Sequence, residues 1–475
     1  MYKSILLLVV FAFFQTACNK NTDSKNSDTT TPKKEDIYHS QIDSLMKVSY
    51  ERGIFNGNIL VVKNTKILYQ NEFGYTDASK TNKLNQNSVF NIGSIAKEFN
   101  AVAIMMLKEQ GKLSLDDKLS KFDLGLPKWA ETVIVRHLLQ YTSGLPRINW
   151  NTVKNDQDIF TDLRTLEKLN FDAGTDYFYN NNNVFLQRRI VEKVSGMSFN
   201  DFVKKNILVP TEMNNSIIDP NSQNPQFVNS FSNDLVNDEP MDIEFTGWVC
   251  PTINDMQKWI VSLHSGELIS KESLITLSEA YSENSQSALG NGFVENNDLV
   301  IHRHHGSSSN YEVFTHYNKK ENLIVILMTN NKNSKLQDII QAVENISKGE
   351  SFEIPKKSIY LTIRQKSYEN VEEGIKLYND LKENDFETYN FSDENELNQL
   401  GYKLIEKEQI EDAIKIFQLL ISEFPNSSNP YDSMGEAYYL NGNTDLALLN
   451  YKKSLELNPT NSNAEKMIEK IESEK

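Results

Sequence analysis

Ser94 and Lys97 stand three residues apart at the head of an apolar stretch, in the run Ser94-Ile95-Ala96-Lys97. On a helix this spacing puts a hydroxyl and an amine on one face. A helix N-terminus adds unpaired N–H groups and partial positive charge, which favour an alkoxide and an oxyanion. A capping serine followed by a solvated lysine has the same spelling. The neighbours Ile92, Phe99, Ala101 and Val102 instead place the lysine partly inside a core, a setting that suits proton transfer. A second segment, Tyr179-Asn180-Asn181, follows Ala173-Gly174. Its phenol can shuttle a proton beside a lysine charge, and the Asn181 amide can hold a lysine or a substrate amide. The plainer alternative is a surface loop, since 180–183 are all asparagine. The third segment is His304-His305-Gly306. A glycine there lets a substrate backbone approach a strand edge, and the following N–H, at Ser307, can join that of Ser94 in an oxyanion hole. The histidines at 302, 304 and 305 also pose a metal reading. On a strand 302 and 304 share a face and 305 points away, and no acidic or His/Cys cluster is evident to complete a ligand set, so no metal is expected.

These groups need a scaffold. Residues 36–52 carry apolar positions at helical spacing. Residues 57–63 and 67–75 read as two strands about an Asn-Thr turn. Residues 94–110 form a helix apolar nearly all round, which belongs inside a core, and Gly111 is placed to end it. Residues 311–317 and 322–329 form a second hairpin across Asn318-Lys319-Lys320-Glu321. Strands at both ends with helices between predict an antiparallel sheet closed by the two chain ends, with a helical region packed on it.

After about residue 356 the pattern changes to a repeat. Leu397, Leu400, Gly401, Leu404, Ala413, Phe417, Leu420 and Pro425 recur as Tyr431, Met434, Gly435, Tyr438, Ala447, Tyr451, Ser454 and Pro459, each pair 34 residues apart. This is the tetratricopeptide spacing, with small residues where two helices cross and large ones filling the groove. Two repeats are few for independent stability, so segments 366–386 and 462–474 are expected to cap them, or the tail to dock on the body.

The chain of 475 residues has 49 Lys+Arg against 65 Asp+Glu, a net charge of −16. That length fits two or three domains, and the acidic balance excludes a phosphate-backbone partner, so no nucleic acid is expected. Lys3 followed by the apolar run 5–14 is too short to span a bilayer and reads as a secretory signal. Thr16-Ala17-Cys18 at its end resembles a bacterial lipoprotein signal, in which Cys18 is lipidated, although Gln15 stands where an aliphatic residue is usual. Residues 1–17 are therefore expected as signal peptide and 18–35 as a lipidated flexible tether, with membrane attachment through that anchor alone, in the cell envelope on the periplasmic or outer-membrane side. Cys250 is expected as a small buried residue and not a nucleophile.

The order and spacing of SxxK, YxN and HxG resemble the serine β-lactamase-related superfamily, in the branch of class C β-lactamases, D-alanyl-D-alanine carboxypeptidases and related esterases. The stretch 138–145, Leu-Leu-Gln-Tyr-Thr-Ser-Gly-Leu, is similar to the family's LLxHTSGL, with Tyr141 where histidine is usual. Val194-Ser195-Gly196, the run ILVPTEM, Gly247 with Asn254-Asp255-Met256, and His304 to Tyr311 agree as well, with Ser307 and Asn310 replacing glycines. The resemblance covers roughly 40–335. It implies an α+β β-lactamase/transpeptidase-like domain over 36–350, and the 34-residue recurrence implies an all-α tetratricopeptide repeat domain after it, over 356–475.

The resemblance further implies a covalent acyl-transfer mechanism. Ser94 attacks a carbonyl, Lys97 and Tyr179 manage the proton, Asn181 orients Lys97 or the substrate, and the N–H groups of Ser94 and Ser307 hold the oxyanion. His304 takes the place of a fixed lysine charge in penicillin-recognising members. A mostly neutral histidine makes carboxylate binding weaker, favouring an ester, amide or D-amino-acid peptide substrate over a β-lactam. No cofactor is implied. The alternative is a catalytically inactive penicillin-binding-like sensor or scaffold that binds a partner protein through its repeats.

Overall fold

A computed structural model of the protein describes residues 34–221, 223–239 and 246–474. The expected signal peptide, Cys18 and most of the tether lie outside the described residues. Within them the body is built on one antiparallel sheet of strands β1 (Gly57–Lys63), β2 (Lys66–Phe73), β3 (Asn291–Glu295), β4 (Asp298–Ser308), β5 (Tyr311–Asn318) and β6 (Leu323–Thr329), in spatial order β2-β1-β6-β5-β4-β3. The expected closure by the two chain ends appears as β1 against β6, from Gly57 opposite Thr329 to Lys63 opposite Leu323.

Strands β1 and β6 are buried on both faces, which is why Ile59–Val62 and Leu323–Met328 read as unbroken apolar runs rather than alternating ones. In β1, Ile59 and Val61 join one hydrophobic cluster while Leu60 and Val62 join the other. The first cluster lies under helix α1 (Lys34–Glu51). The second, larger one holds helices α2 (Ala96–Glu109), α3 (Asn181–Ser195) and α4 (Ile253–Ser265). Helix α5 (Leu336–Lys348) returns to pack beside α1. Tight hairpins at Asn64-Thr65 and Asn296-Asn297 put both turn residues at positive φ, the conformation that matches strand twist. The second of these hairpins, β3–β4, is absent from the sequence-based expectations; its Asn-Asn signal was there to be read.

The expected helix 94–110 is shorter. A 3₁₀ turn over Gly93–Ile95 precedes α2, and Gly111, at φ +69°, follows its end. None of the helices among the described residues is long and apolar enough to cross a membrane. Cys250 is buried in a two-stranded ladder with Ile217, and burial pushes its thiol far up, as an inert side chain requires.

Beyond Ser351 the chain is a run of packed helices: α6 (Ile359–Glu369), α7 (Val371–Asn384), α8 (Glu394–Glu406), α9 (Ile410–Glu423), α10 (Ser428–Leu440), α11 (Thr444–Leu457) and α12 (Ser462–Ser473). The segment 366–386 is not one helix. Asn370 leaves helical geometry, and its side chain caps α7 at the Glu373 N–H. At Gly401 an added Cβ would lie 2.2 Å from the Phe417 ring, and at Gly435, 2.9 Å from Tyr451. The glycine of α8 or α10 therefore admits the ring of the next helix. The body meets these helices through Arg364, whose Nη2 donates to Asp234 Oδ2 at 2.6 Å, and Arg52, whose Nη1 donates to the Pro355 carbonyl at 2.9 Å.

Candidate active site

Gly93 and Gly306 create the meeting point. An added Cβ on Gly306 would sit 2.1 Å from the Ile92 carbonyl oxygen, and one on Gly93, at φ +52°, would sit 2.5 Å from the Ser307 nitrogen. No larger residue fits either place, so strand β4 lies against the turn that carries Ser94. The expected role of Gly306 is thereby modified: the backbone it admits is the chain's own, at Ile92. Strand β3 pairs with β4 only as far as Arg303, which leaves the edge at 304–308 open toward that turn.

Ser94 stands in the 3₁₀ turn, and Lys97 lies one turn on in α2, 9% exposed. The Lys97 Nζ donates to Ser94 Oγ at 3.0 Å, and the Tyr179 hydroxyl reaches the same oxygen at 2.9 Å. Lys97 Nζ also lies 5.2 Å from the centre of the Tyr179 ring. Three residues separated by up to 85 positions thus converge on one hydroxyl.

The asparagine run is not a loose loop. Asn180 caps α3 by accepting from the Asn182 N–H, and its amide donates to the carbonyls of Leu145 and Phe178. Asn183 accepts from the Ser143 hydroxyl at 2.6 Å, and Asn182 donates to Pro146. These bonds tie the start of α3 to the 141–146 segment. Tyr141, buried at φ +58°, packs its ring 4.6 Å from that of Tyr179. Asn181 opens α3 and lines a cavity with Lys97, without a hydrogen bond to it.

His304 lies on the strand face turned toward α2, as alternation requires. Its Nδ1 meets Glu98 Oε1 at 2.6 Å, and His302 Nε2 meets the same oxygen at 3.0 Å. The Trp259 indole donates to Glu98 Oε2 at 2.7 Å, and His264 Nε2 meets His302 Nδ1 at 3.1 Å. Glu98 is 1% exposed. Burial opposes its charge, but His302 and His304 outweigh burial and hold its carboxyl below the usual carboxylate range. Burial pushes His304 below its ordinary pKa in spite of Glu98, so its imidazole is neutral at pH 7. His305 points away, as expected, and pairs with Glu312.

Glu98 overturns one step of the sequence reasoning, since an acidic group does lie beside the two histidines. The three ligand-type atoms fall within 4.8 Å of one another. They are joined by N–H···O contacts, so an ion would have to displace the protons that now connect them. The missed signal was local: Glu98 directly follows Lys97 on a helix apolar on nearly every side, and a buried carboxylate needs partners. Lys332 was also missed. Its Nζ reaches the Ser307 hydroxyl at 3.3 Å, which brings a cation to the strand edge from the segment after β6.

The sequence model of the Beta-lactamase family matches residues 40–345. The chain is similar to penicillin-binding protein 4* of Bacillus subtilis (strain 168), 27% identical over 352 residues, covering 66% of this chain and 77% of that protein. It is similar to protein flp of Staphylococcus aureus (strain MRSA252), 26% identical, covering 61% of this chain and 62% of that one. In fold it resembles FmtA from Staphylococcus aureus, with a TM-score of 0.55 at 20% identity over 68% of this chain and 92% of the other. A class C β-lactamase gives 0.55 at 18% identity over 66% and 98%. With the matched span covering most of the body and well over half of the whole chain, this protein belongs to the β-lactamase family, among the serine hydrolases related to penicillin-binding proteins.

Proposed function

We propose that the body is a serine hydrolase acting through a covalent acyl-enzyme on an ester, amide or D-amino-acid peptide. The observation that carries this reading is the convergence of Lys97 Nζ and the Tyr179 hydroxyl on Ser94 Oγ, at 3.0 and 2.9 Å. Ser94 Oγ bonds to the substrate carbonyl carbon while its proton passes to whichever of Lys97 and Tyr179 is in its basic form, free amine or phenolate. The N–H groups of Ser94 and Ser307 receive the oxyanion. The bond to the leaving group then breaks, and the leaving atom takes the proton back. Water repeats the sequence to free the acid and restore Ser94. His304, held by Glu98, supplies no fixed cation at the place where one would favour a β-lactam carboxylate; the cation that reaches this strand edge is Lys332, 3.3 Å from the Ser307 hydroxyl.

In the same reading the tail is a tetratricopeptide repeat that docks a partner protein, and Cys18 is lipidated and holds the chain in the cell envelope. The 34-residue recurrence and the Gly401–Phe417 and Gly435–Tyr451 packing support the first statement, and the sequence around Cys18 supports the second. The test is a panel of ester, D-amide and β-lactam substrates, with Ser94→Ala and Lys97→Ala as controls. Turnover of at least one class, abolished by Ser94→Ala and lowered by two or more orders of magnitude by Lys97→Ala, is expected. Full turnover in Ser94→Ala would refute the proposal. Release from membranes by Cys18→Ser tests the anchor.

A further inference from the structure

Arg188 is 7% exposed, yet among the described residues its guanidinium makes no hydrogen bond or ion pair, and its Nε is buried without a partner. The neighbouring carboxylate at Asp156 is engaged elsewhere, at 3.4 Å from Arg189, which also pairs with Glu192 at 3.0 Å. A cation removed from water and left unpaired is costly, so its persistence calls for an explanation. Burial pulls its pKa down only to about 10, against the attraction of Asp156, and at neutral pH the group is charged.

Arg188 lines a cavity between α2 and α3. Asn181, Val184 and Arg188 lie along one face of α3, and Ala96, Lys97 and Asn100 along the facing side of α2. Ile148, Trp150 and Trp248 supply apolar walls. The cavity therefore begins at Lys97, 3.0 Å from the Ser94 hydroxyl, and reaches Arg188 two helical turns from Asn181. A second orphan lines it: among the described residues the buried Asn100 Oδ1 accepts no hydrogen bond. The backbone makes room as well. Gly247 takes φ +92°, and a Cβ there would lie 2.6 Å from Arg188 Cδ.

We infer that this cavity is the acyl-group subsite and that Arg188 binds a carboxylate carried on the acyl chain, a few bonds from the scissile carbonyl. The inference rests on acyl transfer at Ser94 and names the substrate class: monoesters or monoamides of dicarboxylic acids. A bidentate carboxylate pairs the guanidinium's free N–H groups, and the apolar walls cover the intervening methylenes. A neutral acyl chain of equal length leaves those N–H groups without a hydrogen-bond acceptor.

The experiment compares p-nitrophenyl monoesters of succinic, glutaric and adipic acid with p-nitrophenyl esters of unbranched acids of matched length, using the full chain. The expected result is a kcat/KM at least tenfold higher for one of the acidic esters than for its neutral match. That ratio should fall to about one in Arg188→Met and recover in part in Arg188→Lys. A wild-type ratio of one or below overturns the inference, as does a ratio unchanged in Arg188→Met. Should no ester be hydrolysed, the proposed reaction fails separately, and the subsite is judged by binding. Glutarate titrated into Ser94→Ala, read by tryptophan fluorescence since Trp150 and Trp248 line the cavity, supports the inference if it saturates and butyramide does not. The absence of glutarate binding overturns it.

Discussion

Glu98 is the residue on which the polar interior of the body turns. Its two oxygens accept from Trp259, His302 and His304, and no water-facing route offers a substitute, since the side chain is 1% exposed. Glu98→Gln keeps the shape and removes the charge. An amide presents one acceptor oxygen and one NH2 donor, so the three partners keep their bonds only if His302 and His304 give up the protons they point at Glu98, and otherwise an N–H is left facing a donor. Leaving a buried polar group unsatisfied costs about 1–3 kcal/mol. The variant is expected to unfold at a distinctly lower urea concentration, with an unchanged slope; an unaltered midpoint would show that the network contributes nothing to stability. Spelling alone pointed to Ser94, Lys97, Tyr179 and His304, because each belongs to a short pattern of residue types. Glu98, Arg188 and Lys332 belong to none: their importance is that they are buried or aimed at the strand edge, which depends on packing between elements far apart in sequence.

Elements carry the next level of the account, and the contact between the 3₁₀ turn at 93–95 and the open edge of β4 is the most exacting of them. It exists because neither Gly93 nor Gly306 has a Cβ. Gly306→Ala would place a methyl 2.1 Å from the Ile92 carbonyl and force the strand and the turn apart. The expected outcome is a loss of serine-probe labelling by an order of magnitude or more, with far-ultraviolet circular dichroism unchanged. Labelling at the wild-type rate would mean that the edge and the turn need not touch. The strands β1, β2, β5 and β6 and the buried helix were legible from apolar runs and turn residues. In the β3–β4 hairpin only the Asn296-Asn297 turn was legible; the strand β3 was not, because all of it is exposed and offers no alternation to detect. The break at Asn370 was hidden for a different reason, since asparagine serves as readily inside a polar helix face as at a cap.

The whole molecule should answer to acid as a unit. His137, His264, His304 and His316 are all pushed below the ordinary value of 6.5 by burial. The unfolded chain takes up protons on them near that value while the native chain does not, so their contribution is complete above pH 6.5 and is lost as pH falls. Glu98 and Glu344 are buried yet kept ionised by histidine partners, Glu344 down to about 2. Their contribution is present above the ordinary 4.5 and lost below it, the same direction. Urea midpoints are therefore expected to decline from pH 7 to 5 and more steeply below 4.5. A midpoint that rises on acidification would contradict the burial of these groups. At this scale the division into a mixed body and a helical tail was plain from the change of period, whereas the contacts that join them, Arg364 to Asp234 and Arg52 to Pro355, follow from no pattern in the sequence.

The most direct measurement is intact-protein mass spectrometry after exposure to a fluorophosphonate, with peptide mapping of the adduct. One adduct per chain is expected, located on Ser94, absent in Ser94→Ala and strongly slowed in Lys97→Ala. A folded wild-type protein that takes no adduct, or takes it at another residue, would contradict the claim that Lys97 and Tyr179 activate the Ser94 hydroxyl.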